Sequence, residues 1–542
     1  MRKENHLFFD YVKKNKALSV FCLIVTIAIS FVAPLKSFII QWLIDAPTKE
    51  VALKFLLLGA LITILSFLLE LASRNLATEI RSKSIALIRS KLMNKMLSDS
   101  MESYFKQGNS DGISVLTNDI QIINNDLYDA LYNIMLFGGM LFFAICMLIY
   151  INPSMLLYVL LASILPFVVP RLLDKKVQSS RERYSNQLSK YTSRIADMLK
   201  GFETIHQFGV VDVFAENHSE FADETAIAER DFNKKMNLSI SGSSFLSNIL
   251  FYILLLLGMF LFFDGKVTIG YMVAATNLSN FIIAPCKMIS HQYSRIKSTK
   301  AIRQKLQEIA NISESEQGEE ISEIQQVVWE NVSFKYEGME SDLLKNIDMC
   351  WEKNDKIALL GKSGSGKTSV VKLFCKYFDS YSGNILLSKV ELRQISKASF
   401  YKSVGVIAQN PHLFNDTLRN NICLYEDFSE REIQNALLKS GIRDYVDNLP
   451  EGLDTMILEN GKNLSGGQAQ RIAIARAVIR NKKILIVDEG TTGLDVDTAE
   501  RIMSDLLNMD AMVIIITHDT DRKYLSKLSK TYDVIDGKVH LQ

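Results

Sequence analysis

Apolar and polar positions follow two different rhythms along the chain. Up to residue 286 the apolar residues come in long unbroken runs; beyond residue 325 they come in short β-rich clusters that alternate with helical spacing. The first run, Leu18–Leu35, leads to a polar patch at Asp45, and the second, Phe55–Leu69, is closed by Glu70. Residues 130–170 hold no charged residue, about twice the roughly 20 residues that cross a bilayer. Asn152-Pro153 breaks that run into a helical hairpin. Met236–Phe263 is also free of charge, and an Asp264-Gly265-Lys266 turn leads into Val267–Cys286. The pattern predicts six spans, at about 17–44, 52–72, 128–151, 153–171, 238–263 and 267–291.

The basic start (Arg2, Lys3, Lys13, Lys14, Lys16) suits a signal peptide too. The run after it is too long for a signal core, and no small-x-small cleavage site precedes Asp45, so it reads as a retained span. The short turns after spans one, three and five hold only Lys49, Lys54 and Lys266. The long connections after spans two and four are rich in Lys and Arg, which puts them and both termini in the cytoplasm. Ser73–Leu97 and Leu172–Met198 keep helical apolar spacing, so the spans are expected to continue as cytoplasmic helices. Each extension reaches a glycine-containing turn, at Tyr104–Gly108 and at Phe208–Val211. Those turns suit contact with a cytoplasmic domain, although surface helices packing only on each other would look the same.

An acidic, polar linker is placed at 316–325, between a membrane domain at 1–315 and an α/β domain at 326–542. The fold class expected is an all-α six-helix transmembrane domain with long cytoplasmic extensions, followed by a C-terminal α/β P-loop ATPase domain. Of 542 residues, 61 are Lys or Arg and 60 Asp or Glu; the net charge of +1 gives no field for nucleic acid. Six cysteines without C-x-x-C spacing read as reduced filler.

The chemistry concentrates at Gly361-Lys362-Ser363-Gly364-Ser365-Gly366-Lys367-Thr368-Ser369, where a β-rich run meets a helical pattern. This is G-x-x-x-x-G-K-[ST] in its strand–loop–helix setting, whose backbone amides cradle phosphates. Lys367 can reach the β- and γ-phosphates of ATP, and the Thr368 hydroxyl can ligate Mg²⁺. Ile484–Glu489 is a buried strand ending in two carboxylates: Asp488 for Mg²⁺ and Glu489 to deprotonate the attacking water. Ile514–His518 delivers the His518 imidazole, Gln409 an amide for Mg²⁺ or water, and Tyr336 an aromatic face for a base. Leu464-Ser465-Gly466-Gly467-Gln468 opens a second helix N-terminus toward phosphate. Each alone has a plainer reading, as a solvated loop start, a core histidine or tyrosine, or a helix-capping turn. Their order and spacing together argue otherwise.

With these motifs on the chain, the sequence resembles an ATP-binding cassette transporter of the exporter type, as a half-transporter. The marks are the Walker A loop at 361–368, the LSGGQ signature at 464–468, Walker B at 484–489 and His518. Thr455, Glu459 and Gly461 resemble an exporter-specific loop in which Leu458 and Asn460 depart from the usual residues. Gly490 and Gly493 depart from the segment that follows Walker B, while its Asp495 is kept. The resemblance implies ATP held between two subunits, the phosphate loop of one facing Ser465, Gly466, Gly467 and Gln468 of the other. It implies a dimer with twelve spans in the plasma membrane; the intact motifs favour a homodimer over a heterodimer. Export of an amphipathic cargo (multidrug, peptide or lipid-like) is the expected activity. An importer of metal chelates on the same fold and a membrane-anchored regulatory ATPase stay open. No Cys/His protease segment is expected ahead of the first span.

Lys36, Asn277 and Asn280 are expected to line the cargo path, since polar groups within spans face protein or water. Snorkelling of the lysine, and helix-to-helix hydrogen bonding of the two amides, remain the alternatives. Glu70 and Lys287, at the ends of their runs, fit headgroup anchors, and Pro285 is a place for the sixth helix to open.

Overall fold

The computed structural model describes residues 6–99, 101–102, 109–153, 156–157, 159, 168–311, 318–321, 323–362, 364–458, 461–488, 496–517 and 527–542. The chain divides into two compact units, one of residues 1–92 and 114–310 and one of residues 93–113 and 311–542.

The helical unit draws on α1 (His6–Lys14), α2 (Lys16–Ile44), α3 (Lys49–Leu97), α4 (Gly112–Ile151), α5 (Val168–Lys200), α6 (Val211–Phe263), α7 (Ile269–Ser298) and α8 (Lys300–Ala310). Among the described residues α2, α3, α4, α6 and α7 are long and apolar enough to cross a membrane. The expected span at 153–171 falls mostly outside the described residues. At 49 and 53 residues, α3 and α6 measure about 74 and 80 Å, more than twice a hydrocarbon core. α4 ends where expected: Asn152 takes an extended conformation (φ −166°, ψ 118°) because the ring of Pro153 disfavours a helical residue before it. α7 continues unbroken through Pro285, so this helix is not opened there.

Hydroxyl groups stitch the apolar helices together. Thr26 Oγ1 of α2 lies 2.8 Å from Ser73 Oγ of α3, which lies 3.0 Å from the Tyr132 hydroxyl of α4. Ser30 donates to the carbonyl of Leu136 at 3.1 Å, and a Cβ on Gly139 would come within 2.7 Å of Ser30. In lipid such bonds hold helices that hydrophobicity alone would not sort. At the other end of α2, the Asp45 carboxylate accepts from the Thr268 hydroxyl and, at 3.0 Å, from the Gly270 amide in the first turn of α7.

α4 contains two π-helical turns, Val115–Asp119 and Asn124–Asp129. Arg295 of α7 clamps the second: its Nε donates to Asp126 at 2.9 Å and its Nη2 to the carbonyl of Asn125 at 2.9 Å. α5 and α6 pack along each other, with Tyr184 stacked on Phe232 (6.1 Å, 9°) and Arg194 over Phe221 at 4.5 Å. Between them Gly209 turns the chain at φ +65°, leaving Phe208 75% exposed and Val213 56% exposed.

The second unit holds two sheets. The first runs β2 (Leu344–Glu352), β1 (Gln326–Phe334), β4 (Ser382–Leu387), β5 (Val390–Glu391), all antiparallel. The second runs β10 (Lys538–Leu541), β9 (Lys530–Ile535), β3 (Lys356–Leu360), β8 (Met512–Ile516), β7 (Ile484–Asp488), β6 (Val404–Ile407). Five of its strands are parallel, and β3, β7 and β8 are buried almost throughout, as sheets covered on both faces require. One covering layer includes α9 (Lys367–Phe374), joined to the first sheet through an edge-on Trp351–Phe374 pair at 5.3 Å. The other includes α10 (Gly466–Ile479) and α11 (Val496–Leu507). Within this unit Glu102 accepts the Asp379 amide at 3.3 Å, and Lys397 donates to the carbonyl of Asp99 at 3.4 Å. The adjoining turn Tyr104–Gly108 lies outside the described residues.

Candidate active site

Parallel strands in register end together, and that shared edge is where such sheets bind ligands. Leu359 of β3 pairs with Ile516 of β8, Ile516 with Asp488 of β7, and Val487 with Ile407 of β6. The phosphate loop, Asp488 and the segment leading to Gln409 therefore leave the sheet at one edge. A cavity of about 540 Å³ opens there, lined by residues 364–369 with Gln409, Asp488, Leu343 and Ile516.

Two glycines shape the loop. Gly361 has φ +146°, and a Cβ there would approach the carbonyl of Val534 to 2.5 Å. Gly366, at φ +108°, precedes the first turn of α9, and a Cβ would meet Leu344 at 2.9 Å. Neither conformation suits an L side chain. Lys367 is only 8% exposed and donates to the carbonyls of Gly361 at 2.5 Å and Lys362 at 2.9 Å. The Tyr336 hydroxyl lies 3.0 Å from Ser369 Oγ, and its ring stands edge-on to Phe334 and Phe378. That fixes an aromatic group beside the first turn of α9.

Thr368, Gln409 and Asp488 border one cavity, and hydroxyl, amide and carboxylate oxygens are donors suited to a hard divalent cation. Behind them the buried Cys375 thiol is pushed up to about 12 by burial, with the charge of Asp488 adding to the effect. It stays a neutral thiol, in keeping with its reading as filler.

Ser465 and Gln468 form a reciprocal cap on α10: Ser465 Oγ accepts the Gln468 amide at 3.2 Å, and Gln468 Oε1 accepts the Ser465 amide at 2.8 Å. They do not border the phosphate-loop cavity. Gly467 is buried, but a Cβ on Gly466 would meet nothing within 4 Å. Among the described residues nothing requires Gly466 to be glycine. Gln470 went unremarked in the sequence: it is 2% exposed and donates to the carbonyl of Ala408 at 3.2 Å, tying α10 to the residue before Gln409. A lone amide on an otherwise apolar helical face was the signal for it.

Ser363, Glu489, Asp495 and His518 lie outside the described residues, as do Glu459, Asn460, Gly490 and Gly493. In the helical unit Lys36 is half-buried on α2. Asn277 donates back to the carbonyl of Val273 in its own helix at 3.2 Å, and Asn280 is exposed. Among the described residues neither amide is seen to reach a neighbouring helix. Glu70 pairs with Arg74 at 2.9 Å, and Lys287 donates to Ser247 at 3.1 Å.

Two family models match the chain: the ABC transporter transmembrane region over residues 16–286 and the ABC transporter domain over 344–492. ATP-dependent lipid A-core flippases are similar to it. That of Sodalis glossinidius is 28% identical over 85% of this chain and 80% of its own length. That of Salmonella typhimurium is 28% identical over 81% and 77%, and that of Escherichia coli K12 is 26% identical over 84% and 79%. A solved bacterial Atm1-family ABC exporter with ATP bound shares the fold, with a TM-score of 0.80 and 21% identity over 97% of this chain and 94% of that one. With a transmembrane region, an ATP-binding domain and a phosphate-loop cavity on one polypeptide, the chain belongs to the ABC transporter family, as a multi-pass half-transporter whose ATPase drives transport.

Proposed function

We propose that two copies of the chain form a homodimer in the plasma membrane, with both termini in the cytoplasm, that moves a lipid-like amphiphile outward at the expense of ATP. The observation that carries the ATPase half is the single cavity bordered by the phosphate loop, Gln409 and Asp488. The lipid-like cargo rests on the relatives, which are lipid A-core flippases.

In this reading the loop amides and Lys367 hold the β- and γ-phosphates, and the Tyr336 ring takes the base. Thr368, Gln409 and Asp488 would hold Mg²⁺, which when bound neutralises phosphate charge. Glu489 takes a proton from the attacking water, and His518 faces the γ-phosphate. Ser465, Gly466, Gly467 and Gln468 of one subunit close over the phosphate loop of the other, and Asp495 joins the two sites. The cytoplasmic extensions near Tyr104–Gly108 and Phe208–Phe214 carry that closure to the spans. ATP favours the closed pair of domains, and hydrolysis removes the preference.

The test is reconstitution of the purified chain into vesicles with a fluorescent anionic phospholipid. ATP-dependent transfer of the probe away from the leaflet facing the ATPase domains is expected. An inactive monomer that needs a second polypeptide overturns the homodimer, and ATPase without transfer of any amphiphile overturns the cargo.

Gly466 separates the partner-facing role from a structural one. Gly466→Ala should leave melting temperature and ATP affinity of the chain unchanged while steady-state ATPase falls by about tenfold or more, because the added methyl fits its own subunit and crowds the γ-phosphate of the other. Wild-type ATPase in this variant would remove the signature from the site.

Lys36, Asn277 and Asn280 line the cargo path in this proposal. Lys36→Met should change stimulation of ATPase by an anionic amphiphile while basal ATPase and yield hold. Unchanged stimulation by every amphiphile tried makes Lys36 an interfacial anchor.

A further inference from the structure

The helical unit contains a second cavity, of about 390 Å³, walled by α1, α2, α3 and α4. It is far from the residues of the ATPase in sequence, and no step of the proposed cycle uses it. α1 is an amphipathic helix: Leu7 and Phe8 are buried, Lys13 and Lys14 exposed. Two contacts fix it in place, an ion pair between Asp10 and Lys91 of α3, and a hydrogen bond from the Tyr128 hydroxyl of α4 to the carbonyl of Phe8. A short basic amphipathic helix just ahead of a first span lies in the headgroup layer.

The walls are graded. Leu23, Leu131 and Met135 make an apolar interior. On α3, Arg74 and Arg81 stand two turns apart, about 10 Å, with the small residues Ala77 and Thr78 between them leaving the slot open. Each charged residue that lines the cavity, Arg74, Arg81 and Asp129, has an ion-pair partner. Arg74 pairs with Glu70, both half-exposed or more. Arg81 meets Asp129 at 3.4 Å, and Asp129 is shared with Arg295 at 3.6 Å. Arg295 is already satisfied by Asp126, so one carboxylate serves two guanidiniums. The exposed Arg74–Glu70 pair is weak and exchangeable, while the Arg81–Asp129 pair is long and partly buried. Each guanidinium carries five donors and matches phosphate in two-pronged fashion.

An apolar slot rimmed by two arginines and one carboxylate, at the depth of the headgroups, suits one kind of molecule: a phosphate bearing an acyl chain. The volume lies within the range of ligand pockets, and a free phosphate would leave the apolar interior unfilled. We infer that this cavity is a binding site for an anionic phospholipid of the adjacent leaflet, its acyl chain between α1, α2 and α4 and its phosphate on Arg74 and Arg81. The site holds a membrane lipid against α1 and is independent of the cargo reading, because occupancy needs no nucleotide.

Native mass spectrometry of the detergent-solubilised full-length protein, titrated with dioleoyl-phosphatidylglycerol without nucleotide, tests it. The tightest adduct should be lost in Ala77→Phe, which fills the slot, by more than about tenfold in affinity. Arg74→Gln and Arg81→Gln should each weaken it by about fivefold. Dioleoyl-phosphatidylcholine should bind the wild type as weakly as the arginine variants bind phosphatidylglycerol, and glycerol phosphate should not bind. ATP affinity equal to wild type shows each variant is folded; should Arg81→Gln fail there through its tie to Asp129, Ala77→Phe and the exposed Arg74→Gln carry the test. Undiminished phosphatidylglycerol adducts in the folded variants, equal affinity for phosphatidylcholine, or binding of glycerol phosphate alone each overturn the inference.

Discussion

Glu489→Gln should bind ATP as tightly as the wild type and hydrolyse it about 10²- to 10⁴-fold more slowly. The amide is isosteric with the carboxylate but cannot accept the proton that water must lose as it attacks the γ-phosphate. In the proposed function the phosphate and cation contacts fall to other residues, 364–369 with Gln409 and Asp488, which border the cavity and are untouched by the change. The split between retained binding and lost turnover is what identifies a base. It is read from a fluorescent ATP analogue and from phosphate release on one preparation. Steady-state hydrolysis near the wild-type rate would take Glu489 out of catalysis.

Lys367→Ala should do the reverse and weaken nucleotide binding itself, by about 10- to 150-fold, the worth of one charge-assisted hydrogen bond. The side chain is nearly buried and donates to the carbonyls of Gly361 and Lys362, so its removal also frees the start of the loop. A melting curve in the absence of nucleotide separates the two effects. Loss of affinity with an unchanged curve assigns the lysine to the phosphates. Full ATP affinity in the variant would overturn the phosphate-loop assignment.

The membrane helices were legible because a bilayer enforces length and the absence of charge, and both can be counted along one segment. The ATPase core was legible because the strands are buried on both faces and read as continuous apolar runs ending in chemistry, Ile484–Asp488 above all. What stayed hidden is what depends on residues far apart. The π-turns of α4 each admit an extra residue that no fixed helical period anticipates, and the second is held by Arg295, some 170 positions away. Nor does local pattern tell that residues 93–113 pack with the C-terminal unit. Pro285 misled for a related reason: a proline breaks a helix only where the freed backbone group finds no other support, and α7 continues through it. Local pattern likewise does not tell that Asn277 donates back to its own helix while Asn280 is exposed.

The junction of Asp45 with Gly270 constrains how this protein can change. The carboxylate sits where a Cβ on residue 270 would lie, 2.4 Å from Oδ2, and it also receives the amide of that residue. Any larger residue at 270 evicts the acid, and any shorter residue at 45 strips the Gly270 amide of its acceptor. The two positions are therefore epistatic. A substitution at either is costly while the other stays native, and the second substitution adds little further harm, so the coupling in a double-mutant cycle should be well above the few tenths of a kcal/mol of independent sites. Once one of the two positions has changed, the other is released to vary.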